Sequence, residues 1–70
     1  MLTEDVIEEI TFSAMQDFAD KNGGASGWSR DTIEKLVLDK GGEWGDVLRA
    51  MVLGMNLCGI EAYQCGGSQN

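Results

Sequence analysis

A chain of 70 residues and 7.6 kDa can fold as one domain at most, because so short a chain buries little surface. Twelve Asp plus Glu against five Lys plus Arg give a net charge of −7, which excludes nucleic-acid binding by phosphate neutralisation. With no histidine, His-ligated metal sites and His-based acid–base catalysis are excluded too.

The first predicted helix runs from about Thr3 to Asn22. Ile7, Ile10, Ala14 and Phe18, with Val6 and Met15 at the edges, recur at helical spacing and make one apolar face. Thr3 suits the N-cap, Glu4 and Asp5 fall where the helix dipole favours anions, and Leu2 can staple to Ile7. Gly23 and Gly24 end the helix.

The loop from Asp20 to Asp31 has the twelve-residue length of an EF-hand calcium loop, but the ligand pattern fails. Gly24 offers no side-chain oxygen at position five, Ala25 stands where the turn requires glycine, and Asp31 replaces the bidentate glutamate. The run Gly23-Gly24-Ala25-Ser26-Gly27 lacks the Lys-Ser or Lys-Thr of a phosphate loop. It reads as a linker, and no metal or other cofactor is expected.

The second predicted helix opens on the same pattern as the first: Trp28, then Ser29 as cap, then Asp31, Ile33 and Glu34. Trp28 is expected to pack over Ile33. Ile33, Leu36 and Val37 form the buried side, and the helix ends at Lys40 before Gly41-Gly42.

The third predicted helix runs from about Glu43 to Tyr63, and between Val47 and Ile60 only Arg49 and Asn56 are clearly polar. That stretch is too short to span a bilayer. It carries two apolar seams: Trp44, Leu48, Met51, Met55, Cys58 and Ala62 on one face, Ala50, Leu53, Leu57 and Ile60 on another. Ala50, Gly54, Cys58 and Ala62 add a groove of small side chains spaced by four. One seam suffices for the chain's own core, so the pattern predicts a homodimer with Ala50, Leu53, Gly54, Leu57, Cys58 and Ile60 at its interface.

Cys58 and Cys65, seven residues apart, would have Cα atoms about 10.5 Å apart on one helix. A disulfide needs about 7 Å, so both are expected to be plain thiols. Residues 66–70 should form a disordered tail behind a helical domain of residues 1–65. The acidic amino terminus is the reverse of a signal peptide's basic start, which makes the cytoplasm the expected location.

Charge is the most informative feature. Glu4, Asp5, Glu8, Glu9, Asp17 and Asp20 give residues 1–20 a net of −6 with no basic residue, whereas residues 21–50 balance to zero. Phe12 lies about 150° from the apolar face of the first helix, among Glu8, Glu9 and Gln16. An aromatic ringed by acids reads as an apolar anchor with charge around it for steering. The serines lack a histidine base and neither cysteine has an activating neighbour, so the chain is not expected to be an enzyme.

The sequence therefore predicts an all-α, three-helix, dimeric interaction protein. Its partner-binding residues are Asp5, Glu8, Glu9, Phe12 and Gln16. The expected partner is a protein with a basic, partly apolar patch, and modulation by inhibition is the expected effect. Neither nucleic acid nor membrane is a direct partner. In size and acidity the chain is similar to small regulators and inhibitors encoded by phages and other mobile elements. The alternative is a nucleic-acid mimic whose carboxylates imitate phosphates in a partner's DNA- or RNA-binding site. A helix-turn-helix reading fails because Glu43 and Asp46 would open the recognition helix.

Overall fold

Each helix begins and ends on a device that its local sequence supplies, and the computed structural model describes residues 1–58. Thr3 caps α1 (Glu4–Lys21), its hydroxyl accepting the Val6 amide N–H at 3.3 Å. At the other end the Gly24 N–H donates to the Ala19 carbonyl at 2.8 Å.

Ser29 stands at the N-cap of α2 (Arg30–Asp39), where its carbonyl accepts the Ile33 N–H at 3.2 Å. Its hydroxyl makes no cap hydrogen bond, so only the backbone half of the expected cap is present. The helix closes in a Schellman motif. Gly42 N–H donates to Val37 O at 2.9 Å and Gly41 N–H to Leu38 O at 3.0 Å. Gly41 sits at φ +81°, a conformation that a side chain would strain.

The third helix, α3 (Trp44–Cys58), starts from Glu43, whose carbonyl accepts the N–H groups of Asp46 and Val47. Each helix packs against the other two, and the described residues contain no strand. The core is Ile7, Ile10 and Ala14 from α1, Trp28 from the linker, Ile33 and Val37 from α2, and Val47 and Ala50 from α3. Burial of such side chains stabilises by about 1.5–3 kcal/mol each, the main force holding the bundle. Thr11 joins the core at 0% exposure, with its hydroxyl donating to the Ile7 carbonyl at 2.8 Å. A back-bond of this kind satisfies the hydroxyl where no water reaches it.

The structure re-sorts the faces of α3. Its core-facing side is Val47, Ala50 and Gly54, flanked by half-buried Met51, Leu53 and Cys58. The groove of small residues does admit a close approach, but the group that enters it is this chain's own Trp28. A methyl on Gly54 would lie 2.6 Å from the indole Cε2. Ala50 and Gly54 are thus covered within one chain, with Trp28 against Gly54. The apolar residues left outside are Trp44, Leu48, Val52 and Leu57. Trp44 to Cys58 follows the predicted helix, one residue inside its expected start at Glu43; its continuation to Tyr63, Ile60, Ala62, Cys65 and the tail 66–70 lie outside the described residues.

No helix among the described residues is long and apolar enough to cross a membrane.

Candidate functional site

Because α1 buries one stripe in the core, its opposite side is left to solvent, and that side carries the acids. Asp5, Glu8, Glu9 and Gln16 are all exposed there. Phe12 is 52% exposed in their midst, so its own chain leaves half the ring in water. Glu9 approaches Lys40 at 3.9 Å, and the Gln16 amide donates to Asp20 at 3.0 Å. An ion pair that long and that exposed contributes little. Phe12 also borders a shallow hollow of about 320 Å³ walled by Met15, Ala19 and the glycine linker.

Beside this ridge lies a larger opening that the sequence reading missed. A groove of about 390 Å³ runs between α1 and α3. Ile7, Leu48, Val52 and Leu53 make its apolar lining, Glu4 and Glu8 one rim, Arg49 and Asn56 the other. Leu48 is 45% exposed and Val52 52%. The signal for it was present: Trp44, Leu48 and Val52 step by four along a helix whose opposite side is made of small residues.

Arg49 brings a cation to the groove, but that cation is already engaged. Its guanidinium donates to the Asp46 carboxylate at 3.0 Å and to the Leu2 carbonyl at 2.8 Å. Asp46 in turn accepts the Glu43 N–H at 3.0 Å and the Leu2 N–H at 3.2 Å. The Glu43 contact is half of a capping box: Asp46, the third residue of α3, accepts the Glu43 N–H, while the Asp46 N–H goes to the Glu43 backbone carbonyl. These bonds tie the segment before α1 to the start of α3 and fix one end of the groove. The Glu43 N–H, then the Leu2 N–H and Arg49, hold the Asp46 carboxyl below its ordinary pKa, against the opposing effect of burial. Glu4 and Glu8 form no ion pair among the described residues.

The predicted self-interface residues are dispersed. Ala50 and Gly54 are in the core, Leu53 and Cys58 are half-buried, Leu57 is exposed, and Ile60 lies outside the described residues. Among the described residues no three His, Cys, Asp or Glu side chains gather as metal ligands would. The arrangement places apolar surface beside Glu4 and Glu8, which form no ion pair among the described residues. No protein-family model, curated protein or solved structure gives a significant match to the chain.

Proposed function

We propose that this protein is a small acidic interaction module that binds another protein through the exposed side of α1 and modulates it, in the inhibitory direction. The observation that carries this reading is Phe12, a large aromatic left half in water among Asp5, Glu8, Glu9 and Gln16. Exposing an aromatic is costly in water, and aromatic anchors with a charged surround are what protein interfaces use. The partner surface that fits is basic and partly apolar. No catalytic step is assigned.

A homodimer belongs to the same reading. With Ala50 and Gly54 in the core, its centre moves to exposed Leu57, with Cys58 at the edge. Sedimentation at high concentration tests this, and a 7.6 kDa species there excludes it.

The binding reading is tested by affinity capture from cells with three baits: the natural chain, Phe12→Ala, and Glu8→Lys with Glu9→Lys. A protein retained by the first bait and lost from both variants supports the reading, provided all three baits melt alike. Equal retention by all three overturns it.

A further inference from the structure

The groove between α1 and α3 is a second apolar surface, adjoining the Phe12 ridge through Glu8. We infer that it receives a basic amphipathic helix of the partner protein, laid between α1 and α3 as a fourth helix. This deepens the binding reading above and rests on it.

Four features point to that occupant. The lining is paired at helical spacing: Leu48 and Val52 are one turn apart on α3, Glu4 and Glu8 one turn apart on α1. A third helix with apolar residues at i and i+4 can seat them between those two rows, ridges into grooves. The groove has an apolar floor at Ile7 and Leu53, so the seated face must be apolar. Its α1 rim is Glu4 and Glu8, neither neutralised by an ion pair among the described residues. The helix that fits therefore carries Lys or Arg along the flank facing α1. Its required length follows from the lining: Leu48 to Asn56 spans about 12 Å, or two to three turns.

Charge also decides against the other occupants. A second copy that met the groove with its own α1 would bring carboxylates towards Glu4 and Glu8, whereas the homodimer proposed above meets at Leu57, outside the groove lining. Residues 59–70 contain no Lys or Arg, so they offer nothing to that rim either.

The test uses the full chain, isotope-labelled for NMR, and three synthetic peptides of about 18 residues. One has Leu at i, i+3, i+4 and i+7 with Lys elsewhere. The second replaces Lys by Glu. The third keeps the first peptide's composition but scrambles the Leu periodicity. The amphipathic Lys peptide should bind saturably and shift the signals of Ile7, Glu8, Leu48 and Val52. The Glu peptide should not bind, and the scrambled peptide should bind at least tenfold more weakly. Leu48→Ser with Val52→Ser changes only half-exposed side chains, so melting should hold while affinity falls at least tenfold. Glu4→Gln with Glu8→Gln should lower affinity and flatten its dependence on salt.

Equal binding of the scrambled peptide would show attraction by charge alone and overturn the inference, as would absence of saturable binding. Concentration-dependent shifts at Leu48 and Val52 without peptide would assign the groove to a second copy. Loss of peptide binding on Phe12→Ala but not on Leu48→Ser with Val52→Ser would remove the groove and leave the Phe12 reading standing. Loss on neither would remove both.

Discussion

Trp28 packs against the backbone of α3 at Gly54, where an added methyl group would stand 2.6 Å from the indole Cε2 and 2.9 Å from Cδ1. The glycine is therefore a contact surface for the largest side chain of the core, which is itself 1% exposed. It explains a residue that weakens helices by about 1 kcal/mol relative to alanine appearing inside α3. The linker glycines let the chain turn back so that Trp28 reaches this point.

Gly54→Ala sets two terms against each other. Helix propensity favours alanine by about 1 kcal/mol, and crowding a closed core costs about 1–3 kcal/mol. A methyl inside 3 Å of three indole atoms has no flexible neighbour to push aside, so crowding wins. Gly54→Ala should lower the melting temperature by about 5–10 °C, and Gly54→Leu should prevent folding. Trp28→Phe added to Gly54→Ala should recover part of the loss. A Gly54→Ala protein as stable as the natural one would show that the indole is not seated there.

Two glycines, Gly42 in the turn before α3 and Gly45 in its first turn, should respond in opposite directions. Gly45 lies in the first turn with nothing within 4 Å of an added Cβ. Gly45→Ala should raise stability by about 0.5–1 kcal/mol through helix propensity and a less flexible unfolded chain. An added Cβ at Gly42 would meet Val37 Cγ1 at 2.7 Å and Leu2 Cδ1 at 2.8 Å. Gly42→Ala should therefore destabilise, because it pushes Leu2 away from the site where its amide meets Asp46. Parallel thermal melts of the two variants decide the matter, and shifts of the same sign would contradict it.

The cap of α1 and the stops of α1 and α2 were legible in the sequence because each is decided within about five residues, whereas the Ser29 hydroxyl does not make the cap bond expected of it. Thr3 and Gly41 do what their local pattern says. Phe12 was also legible, since helical geometry alone puts it opposite the apolar face. The faces of α3 were not. Periodicity shows that the helix has two apolar sides, but which one turns inward depends on Trp28, whose position 26 residues earlier no local pattern encodes. Asp46 was missed for the same reason. The Glu43–Asp46 contact is local, but Asp46 also accepts the N–H of Leu2, 44 residues away.

Asp46 should make stability depend on acid. Its folded pKa is depressed, first by the Glu43 N–H and then by Leu2 and Arg49. A depressed carboxyl contributes stability that is fully present above the unfolded value, about pH 4, and lost as pH falls through the folded value. The melting temperature should therefore fall on acidification below about pH 4. Asp46→Asn should melt lower than the natural chain at neutral pH, with a shallower fall in acid. Arg49→Met should retain the Glu43 contact and show an intermediate loss. Superimposable acid limbs for Asp46→Asn and the natural chain would place the acid sensitivity elsewhere.

Phe12 separates the two ways in which an acidic face can bind. The ring is 52% exposed and outside the core, so Phe12→Ala should leave the melting temperature within about 2 °C of the natural value. If the ring anchors a partner, the same substitution should cost on the order of 2 kcal/mol of affinity, expressed mainly as faster dissociation. Glu8→Lys with Glu9→Lys should act on the other rate. Exposed charges steer encounter and are screened over about 8–10 Å at physiological ionic strength, so reversal should slow association and weaken its dependence on salt. A nucleic-acid mimic would behave the opposite way, tolerating Phe12→Ala and failing on charge reversal, because its carboxylates would carry the recognition. Surface-plasmon kinetics of the captured partner at low and physiological salt distinguish the two patterns. A Phe12→Ala chain that melts much lower yet binds unchanged would place the ring in a structural contact and move the binding site off this face of α1.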